Sequence, residues 1–319
     1  MTGATGFIGR ILCGVLTLQG WRVIGLARHA PLRNLMVAVD DFIVTDLEDD
    51  SNLASKLAGI DTVVHLAALA HVSKDVEVNS LAHFLSTNCD GTLRLARVAA
   101  AAGIRRFVFV SSIGVNGNAT VDKAFREEDL ALAHDPYAVS KLEAEKGLRK
   151  IQAESLLEVV IVRPPLVYGP GNPGNFLRLL RLVYSGLPLP LGTASNRRSM
   201  IYVGNLVDAL IVCAKHPSAA GRLYLVSDGE DLSLRDLVYR LAISLGRKPR
   251  LWNVPPSLLR GVAAMAGHAK DADRLLLPLV VDSSRIRREL GWKPPFTLTE
   301  GMQKTAEWFV NRGQILDRK

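Results

Sequence analysis

The stretch Thr2-Gly3-Ala4-Thr5-Gly6-Phe7-Ile8-Gly9 decides the fold, because its three glycines recur at every third position ahead of an apolar run of helical period. The first glycine suits a tight turn, the second lets the backbone approach a pyrophosphate, and the third lets a helix pack closely on a sheet. The run over residues 7–19 is predicted to form that helix, and Gly20 supplies its stop. Its free N–H groups and positive dipole end would hold phosphates, so the stretch predicts a dinucleotide site.

The strand that should lead into this turn does not precede it in the sequence, which starts at Met1. In a doubly wound sheet that strand is central. A sheet without its middle strand would leave unpaired backbone groups and an open slot in the core. We therefore expect poor stability and weak cofactor binding from a chain that starts here, and we expect added upstream apolar residues to restore both.

Composition places the chain among globular proteins. It has 319 residues, of which 48% are hydrophobic and 22% charged, and it contains no apolar run long enough to span a membrane. Its three cysteines form no CxxC pair and are expected in the core of a cytoplasmic protein. Its seven histidines show no metal-ligand spacing, so no metal is predicted. The formal net charge of +8 is scattered and not arranged in a basic stripe, which favours anionic small molecules over nucleic acid.

Strand-like and helix-like segments alternate through the first half of the chain, which predicts an α/β fold with a doubly wound parallel (Rossmann) sheet. The predicted strands cover residues 21–27, 42–45, 61–66, 106–110 and 157–162, and the predicted helices cover 81–102 and 137–154. After residue 163 prolines and glycines interrupt the pattern, with helices predicted at 175–185, 204–215, 233–245 and 298–310. We expect residues 1–163 to form the dinucleotide-binding domain, with 200–227 returning to it. Residues 164–199 and 228–319 are expected to form a smaller, partly interleaved substrate-binding lobe.

Tyr137 and Lys141 lie four residues apart at the start of a predicted helix and so share one face. A lysine ammonium one turn away should favour the tyrosine phenolate and lower its pKa from about 10. Such a pair can take or give a proton at a sugar hydroxyl or ketone. Ser111 and Ser112 close the strand before this helix. One of the two serines is expected to cap the strand end, and Ser112 is the predicted catalytic hydroxyl.

In this order the motifs resemble those of an extended short-chain dehydrogenase/reductase of the NAD-dependent epimerase/dehydratase family. The motifs that carry the resemblance are TGATGFIG (2–9), DL (46–47), HLAA (65–68), NxxGT (88–92), SS (111–112), YxxxK (137–141), RP..VYGPG (163–171) and DSSRIRRELGW (282–292). They cover nearly the whole chain, and they specify the family far more closely than the substrate.

The resemblance implies roles for individual residues. Gly3, Gly6 and Gly9 would hold the pyrophosphate, Asp46 and Leu47 would flank the adenine, and Ala67 and Ala68 would line the nicotinamide side. Tyr137 and Lys141 would be the acid/base pair, with Lys141 also on the nicotinamide ribose. The implied cofactor contacts also include Thr5, Phe7, Ile8, Arg28, Leu66, Asn88, Ser111 and Pro164. The implied substrate contacts are Ser112, Asn175, Arg198 and Arg274.

Two departures from the family pattern affect the predicted activity. Arg28 stands at the end of the second strand, where an acidic residue would bind the ribose of NAD, so the position slightly favours NADP. Ile113-Gly114 follows Ser112, where the family's sugar-nucleotide dehydratases carry an Asp-Glu pair, which argues against 4,6-dehydratase activity.

The resemblance therefore implies an NAD(P)-dependent sugar-nucleotide epimerase acting at C4, with a UDP-hexose as the expected substrate. The first alternative is an NADPH-dependent 4-keto-6-deoxy sugar-nucleotide reductase of polysaccharide synthesis, which would use the same residues. The second alternative is a non-catalytic NADP-binding protein. Neither a nucleic-acid nor a membrane partner is expected, whereas a homodimer would be typical of the family.

Overall fold

The computed structural model describes residues 1–29, 38–45, 53–70, 80–265, 267, 273 and 275–316, with side chains described through residue 312. In its first half, helices and parallel strands alternate. The strands are β1 (Ile24–Ala27), β2 (Asp41–Val44), β3 (Thr62–His65), β4 (Arg106–Val110) and β5 (Glu158–Arg163). The helices are α1 (Phe7–Leu18), α2 (Leu53–Lys56), α3 (Leu81–Leu85), α4 (Gly91–Ala101) and α5 (Pro136–Ala153).

The second half adds shorter strands between its helices. The strands are β6 (Leu166–Tyr168), β7 (Arg197–Arg198), β8 (Met200–Tyr202), β9 (Leu223–Leu225) and β10 (Leu232–Ser233). The helices are α6 (Asn175–Tyr184), α7 (Val203–Lys215), α8 (Leu234–Ser244), α9 (Pro256–Met265), α10 (Ser284–Leu290) and α11 (Leu298–Leu316). No helix in the described part of the chain combines the length and the apolar character needed to cross a bilayer.

All pairings in the main sheet are parallel. One part pairs β2 with β1, and the other runs in the order β3, β4, β5, β9. Thr2 joins the two parts, because it forms a parallel bridge to Leu26 on one side and to His65 on the other. The sheet is thus doubly wound about the position of Thr2, and this confirms the predicted α/β fold. Ligands of such sheets bind where the strand order reverses, at the carboxyl ends of the strands.

Met1 and Thr2 occupy the central position for which a strand was predicted to be missing. The Met1 carbonyl accepts from the Leu26 amide at 2.8 Å, and the Thr2 amide donates to the Val64 carbonyl at 3.1 Å. Below them lies a cavity lined mostly by apolar side chains, including Ile24 and Val63. The missing strand is therefore not confirmed, since these two residues already hydrogen-bond to both neighbouring strands.

Helices cover both faces of the main sheet, as the parallel strands require. One apolar core lies under α1 and α7 and contains Leu12, Leu206 and Val160. The other lies under α4 and α5 and contains Leu95, Leu148 and Phe107. The three cysteines are free and buried in these cores, as expected for Cys13, Cys89 and Cys213.

A third apolar cluster, which we call the lobe core, joins α6, α8 and α11 and contains Phe176, Leu241 and Met302. Small pairings surround it: β6 pairs in parallel with β8, and β7 pairs antiparallel with β10. Ser233 caps α8 by accepting from the Asp236 amide at 2.9 Å, as its capping-box pattern predicts. The two- and three-residue strands were not predicted, because such short segments carry no usable periodicity.

Candidate active site

The glycine turn and α1 form a cradle that leaves no room for side chains. Gly3 has φ +65°, a left-handed conformation, and a Cβ there would lie 2.9 Å from the Ala67 amide nitrogen. A Cβ on Gly9 would lie 2.0 Å from the Gly3 carbonyl oxygen. The helix begins after Gly6 without a side-chain cap. The cradle therefore fits a dinucleotide pyrophosphate, since backbone N–H groups at an uncapped helix start are donors for anions.

The side chains of Phe7 and Ile8 also contact residues outside this cradle. Both are half-buried and pack against the lobe core. It is therefore the backbone of Phe7 and Ile8, at the start of α1, that can bind a phosphate. Thr5 lies in the same turn and is half-buried.

A buried hydrogen-bond chain fixes the edge of the cradle, and sequence reasoning missed most of it. The Thr2 hydroxyl accepts from the amides of Leu66 and Ala67, each at 3.1 Å, and lies 2.8 Å from Nδ1 of His65. Nε2 of His65 lies 2.9 Å from the Thr92 hydroxyl, which donates to the Asn88 carbonyl at 2.7 Å.

This chain determines the protonation of His65. Because the single Thr92 proton goes to the Asn88 carbonyl, Nε2 of His65 must be the donor to Thr92, and Nδ1 must accept from Thr2. Burial, with the Lys141 charge as the next cause, lowers the pKa of His65 to about 3, so the ring is neutral. His65 is thus a neutral linker between β3 and the helix that carries Asn88, and it orients the 66–67 backbone beside Gly3.

Asn88 holds the loop after β3. It lies on a π-helical turn, Ser86–Asp90, that joins α3 to α4, so the predicted helix over 81–102 is continuous apart from this turn. Its Oδ1 accepts from the Leu69 amide at 2.7 Å, and its Nδ2 donates to the Leu69 carbonyl at 3.1 Å and to the Ser140 hydroxyl at 3.0 Å. Asn88 therefore positions the loop of Ala67 and Ala68 against α5.

The start of α5 places Tyr137 and Lys141 behind the ends of β4 and β5. Asp135 caps this helix by accepting from the Ala138 amide at 2.8 Å, and Pro136 occupies its first position. Lys141 is only 1% exposed. Its Nζ donates to the Val110 carbonyl at 2.9 Å and lies 5.9 Å from the centre of the Tyr137 ring, so the predicted pair shares one face.

The predicted lowering of the Tyr137 pKa is wrong for the protein alone. Burial, with the Asp135 charge as a second cause, raises the pKa of Tyr137 to about 12. Burial also lowers the pKa of Lys141 to about 7, although the Glu145 charge opposes this shift. The predicted direction considered only the attraction between two charges, whereas in this apolar setting desolvation disfavours both charged forms.

The two serines after β4 have different partners. The Ser111 hydroxyl is buried and donates to Oε1 of Glu145 at 2.5 Å. The Ser112 hydroxyl accepts from the Gly114 amide at 3.1 Å, which leaves its proton for another acceptor as far as the described residues show. Ser112 is therefore the serine whose hydroxyl can donate at the site, while Ser111 belongs to a buried network.

That network was not predicted. Arg163 forms a buried ion pair with Glu145, in which its Nε donates to Oε1 at 2.8 Å and its Nη2 contacts Oε2. Its Nη1 donates to Oδ1 of Asn116 at 2.8 Å. The network ties the end of β5 to the face of α5 that also carries Lys141. An arginine that directly follows an apolar strand run was the sequence signal that could have revealed it.

Five further predicted site residues are not part of these hydrogen-bond networks or lie outside the described residues. Pro164 directly follows β5, and its carbonyl accepts from the Ile113 amide at 3.0 Å, which places it beside the serine loop. Arg28 directly follows β1 and is exposed at the carboxyl edge of the sheet. Asp46, Leu47 and Arg274 lie outside the described residues.

On the substrate side, Arg198 and Asn175 belong to different elements. Arg198 ends β7, and its Nη1 donates to the Leu277 carbonyl at 2.7 Å. Burial lowers the pKa of its guanidinium, and no carboxylate among the described residues forms a salt bridge with it. Asn175 opens α6 after Gly174 and is exposed. The described residues contain no group of three His, Cys, Asp or Glu side chains that could hold a metal ion.

Comparison with known proteins agrees with this geometry. The UDP-glucose 4-epimerase of Vibrio cholerae is 42% identical over 97% of this chain and 94% of its own length. The structure of MoeE5 in complex with UDP-glucose and NAD superposes with a TM-score of 0.77 and is 29% identical in sequence. The match covers 98% of this chain and 98% of MoeE5. A dTDP-glucose 4,6-dehydratase of Streptomyces venezuelae, solved with NAD and DAU bound, gives a TM-score of 0.78 at 27% identity, over 100% of this chain and 98% of its own.

The family model described as "NAD dependent epimerase/dehydratase family" matches residues 1–227, which include the glycine cradle, both serines and the Tyr137/Lys141 pair. The chain therefore belongs to the NAD-dependent epimerase/dehydratase family of enzymes.

Proposed function

We propose that this enzyme is an NAD-dependent epimerase that inverts C4 of a UDP-hexose. The observation that carries the proposal is that three groups with complementary chemistry lie near the carboxyl end of β4. They are the Ser112 hydroxyl, the Tyr137 phenol and the buried Lys141 amine. The relative from Vibrio cholerae is named a UDP-glucose 4-epimerase, and MoeE5 was solved with UDP-glucose and NAD. Both names support a UDP-sugar substrate, and the MoeE5 complex also supports an NAD cofactor.

In the proposed division of labour, residues 1–163 with 200–227 bind the dinucleotide, and residues 164–199 with 228–319 bind the sugar nucleotide. Gly3, Gly6 and Gly9 would hold the pyrophosphate, and Asn88 would keep the 66–69 loop in place beside the nicotinamide. Arg198 supports the assignment of a phosphate site to the second part, because the residue is half-buried and the described hydrogen bond of its guanidinium is to one backbone carbonyl.

The proposed mechanism begins with proton transfer at the sugar 4-hydroxyl. Tyr137 as phenolate takes this proton, and the Ser112 hydroxyl donates a hydrogen bond to the same sugar oxygen. The cradle of Gly3, Gly6 and Gly9 would hold NAD⁺, which would supply a reversible hydride acceptor for C4 of the sugar and a positive charge that favours the phenolate. The phenolate forms beforehand, when the proton that leaves the Tyr137 hydroxyl is taken up by the Lys141 amine, because each of the two charges then has a partner in an apolar setting. In the return half Tyr137 gives the proton back to the 4-oxygen.

The choice between NAD and NADP turns on Arg28. Arg28 is exposed and directly follows β1, and an arginine at this strand end suits the 2′-phosphate of NADP. The slight preference for NADP stays a prediction. It would be supported if Arg28→Ala weakened NADPH binding far more than NADH binding, and contradicted by equal effects on the two.

A second candidate function uses the same side chains. A 4-keto-6-deoxy sugar-nucleotide reductase would run only the return half of the reaction, with NADPH that exchanges after each turnover, and Arg28 is the residue that favours it. A non-catalytic NADP-binding role is disfavoured, because Ser112, Tyr137 and Lys141 are all present. The homodimer implied by the family resemblance stays a prediction.

The experiment that separates these candidates is incubation of the purified enzyme with UDP-glucose, with no cofactor added beyond the NAD retained by the protein. We expect UDP-galactose to form until the two sugars reach equilibrium. No conversion of UDP-glucose, together with NADPH consumption on a 4-keto-6-deoxy sugar nucleotide, would replace the epimerase by the reductase.

A further inference from the structure

The segment Arg247–Met265 presents several bulky apolar side chains to solvent. Trp252 is 63% exposed, and in α9 the exposures run from 53% at Val262 to 84% at Met265. α9 contains no buried residue at all. An ordinary surface helix fully buries one apolar stripe, whereas α9 only half-buries Leu259 and Ala263, which is unusual for a helix of a globular protein.

The apolar side chains of α9 form a stripe. Leu258, Val262 and Met265 follow one another at spacings of four and three residues, so they lie on one side of the helix. All three are exposed. By contrast, exposed apolar residues such as Leu18 and Leu156 are spread singly over the surface, which is normal.

The residues before α9 are fixed to the lobe core as an extended segment. The Trp252 amide donates to the Leu189 carbonyl at 2.8 Å, and the Gly192 amide donates to the Trp252 carbonyl at 2.8 Å. Alternate residues of an extended segment point to opposite sides. Leu251 packs against the lobe core, so Arg250 and Trp252 share the outward side.

Basic groups accompany these apolar side chains. Residues 247–265 include three arginines and one lysine and no Asp or Glu. Arg247 stacks on the Tyr184 ring at 4.2 Å, and Arg260 pairs with Asp273 at 2.7 Å. Lys248 and Arg250 are exposed, and Arg250 donates to the Gly186 carbonyl at 3.3 Å, next to the exposed Leu187.

From this placement we propose that Arg247–Met265 is a membrane-docking surface that binds the headgroup region of an anionic bilayer. A short helix with an exposed Leu/Val/Met stripe, next to a tryptophan and flanking basic groups, suits the boundary between headgroups and acyl chains. The absence of acidic residues over the segment is the observation that selects an anionic surface, since lysine and arginine gain free energy near anionic lipids. Our expectation of no membrane partner rested on the lack of a spanning run, and peripheral binding needs none.

The proposal is independent of the enzymatic assignment. Leu258 and Val262 lie in the part assigned to the sugar nucleotide, but their side chains are exposed and lie outside the cradle, the serine loop and the Tyr137/Lys141 pair. Vesicle binding is also measured without substrate, so it can succeed or fail whatever the enzyme turns over.

The test is flotation of the full-length enzyme with large unilamellar vesicles of phosphatidylcholine and phosphatidylglycerol in equal parts, and with phosphatidylcholine alone, at 0.1 M and 0.5 M salt. We expect binding to the phosphatidylglycerol vesicles that falls with added salt and is far weaker on the neutral ones. Blue-shifted tryptophan emission on binding should disappear in Trp252→Phe.

Three double variants make the test specific. Leu258→Asp/Val262→Asp should bind at least about tenfold more weakly, and Lys248→Gln/Arg250→Gln about 30-fold more weakly. Val121→Asp/Leu156→Asp, which changes two equally bulky residues that are 90% and 97% exposed elsewhere, should bind as the wild type does. All three should keep the far-UV circular dichroism spectrum and the urea midpoint of the wild type, which shows that they fold.

Three results would each overturn the proposal. The first is no flotation of the wild type with phosphatidylglycerol vesicles at 0.1 M salt. The second is equal flotation of Leu258→Asp/Val262→Asp and the wild type. The third is a wild-type dimer in lipid-free solution that these two substitutions split into monomers, since a second copy of the chain would then cover the surface.

Discussion

Replacing Gly9 by alanine should damage both the cofactor cradle and the fold, whereas the same change at Gly14 in the same helix should not. The added Cβ at position 9 would lie 2.0 Å from the Gly3 carbonyl oxygen. Ordinary contacts begin near 3.4 Å, so the turn and the helix must separate by more than 1 Å. At Gly14 no heavy atom lies within 4 Å of the added Cβ.

The expected magnitudes follow from these distances. The separation at Gly9 overpacks the turn, at a cost of about 1–3 kcal/mol, and strains the hydrogen bond from the Gly6 amide to the Gly3 carbonyl, which contributes about 1 kcal/mol. We therefore expect Gly9→Ala to lower the free energy of unfolding by about 2–4 kcal/mol and to weaken NAD binding at least about 100-fold. Gly14→Ala should raise the free energy of unfolding by about 0.5–1 kcal/mol, because alanine is the better helix former.

The assay is urea denaturation of both variants and the wild type, together with equilibrium dialysis against NAD. If the Gly9→Ala variant bound NAD with an affinity within threefold of the wild type, the steric clash at Gly9 would be excluded as a constraint on the cradle. A Gly14→Ala variant that lost as much NAD affinity as Gly9→Ala would exclude that constraint as well.

Three further predictions concern α5 and its buried partners. Tyr137→Phe should abolish turnover of UDP-glucose while leaving NAD binding within about twofold, because only the proton-transferring oxygen is removed; retained turnover would exclude Tyr137 as the acid/base group. Glu145→Gln should destabilise the protein by about 3 kcal/mol or more, because the buried Arg163 charge loses its partner. Its control, Glu143→Gln, breaks the half-exposed Lys146 pair on the same helix and should cost less than about 1 kcal/mol in the same urea titration; equal losses would show that the buried pair is unimportant. Burial lowers the pKa of Lys141 from 10.5 to about 7. Between pH 7 and pH 10.5 the unfolded chain therefore binds more protons at this residue than the folded chain does. The free energy of unfolding of the wild type relative to Lys141→Met should therefore rise from pH 7 towards pH 10, and a flat or falling difference would show that Lys141 is not desolvated.

The parts of the fold and site that sequence reasoning found are those determined by local spacing. Gly3 and Gly9 fall within one turn and one helix start, and Tyr137 and Lys141 are one helical turn apart. These positions need no knowledge of distant residues. The helix predicted over 137–154 differs by one residue at each end from α5, because Asp135 and Pro136 specify its start.

The parts that were missed depend on residues far apart in the chain. Thr2, His65 and Thr92 form one hydrogen-bond chain only because β3 and α4 meet beside the glycine turn. In the same way, the partners of Arg163 come from α5 and from the loop after β4. No spacing within one segment encodes such pairings.

The direction of the Tyr137 pKa was missed for a related reason. The spacing places a cation nearby, but the degree of burial depends on neighbours such as Phe84, whose ring lies 6.4 Å from the Tyr137 ring in an edge-on arrangement. Desolvation then exceeds the attraction between the two charges. A sequence pattern can thus identify a candidate acid/base pair without giving its protonation state.

The central claim is that a hydride leaves C4 of the sugar and returns to the same carbon while Tyr137 exchanges a proton with the 4-oxygen. The most direct measurement is mass spectrometry of the product formed by purified enzyme from UDP-glucose deuterated at C4. We expect UDP-galactose that retains the deuterium at C4, with no NADPH consumed and none of the label in the free cofactor pool. Loss of the deuterium, or product formation only in proportion to added NADPH, would contradict it.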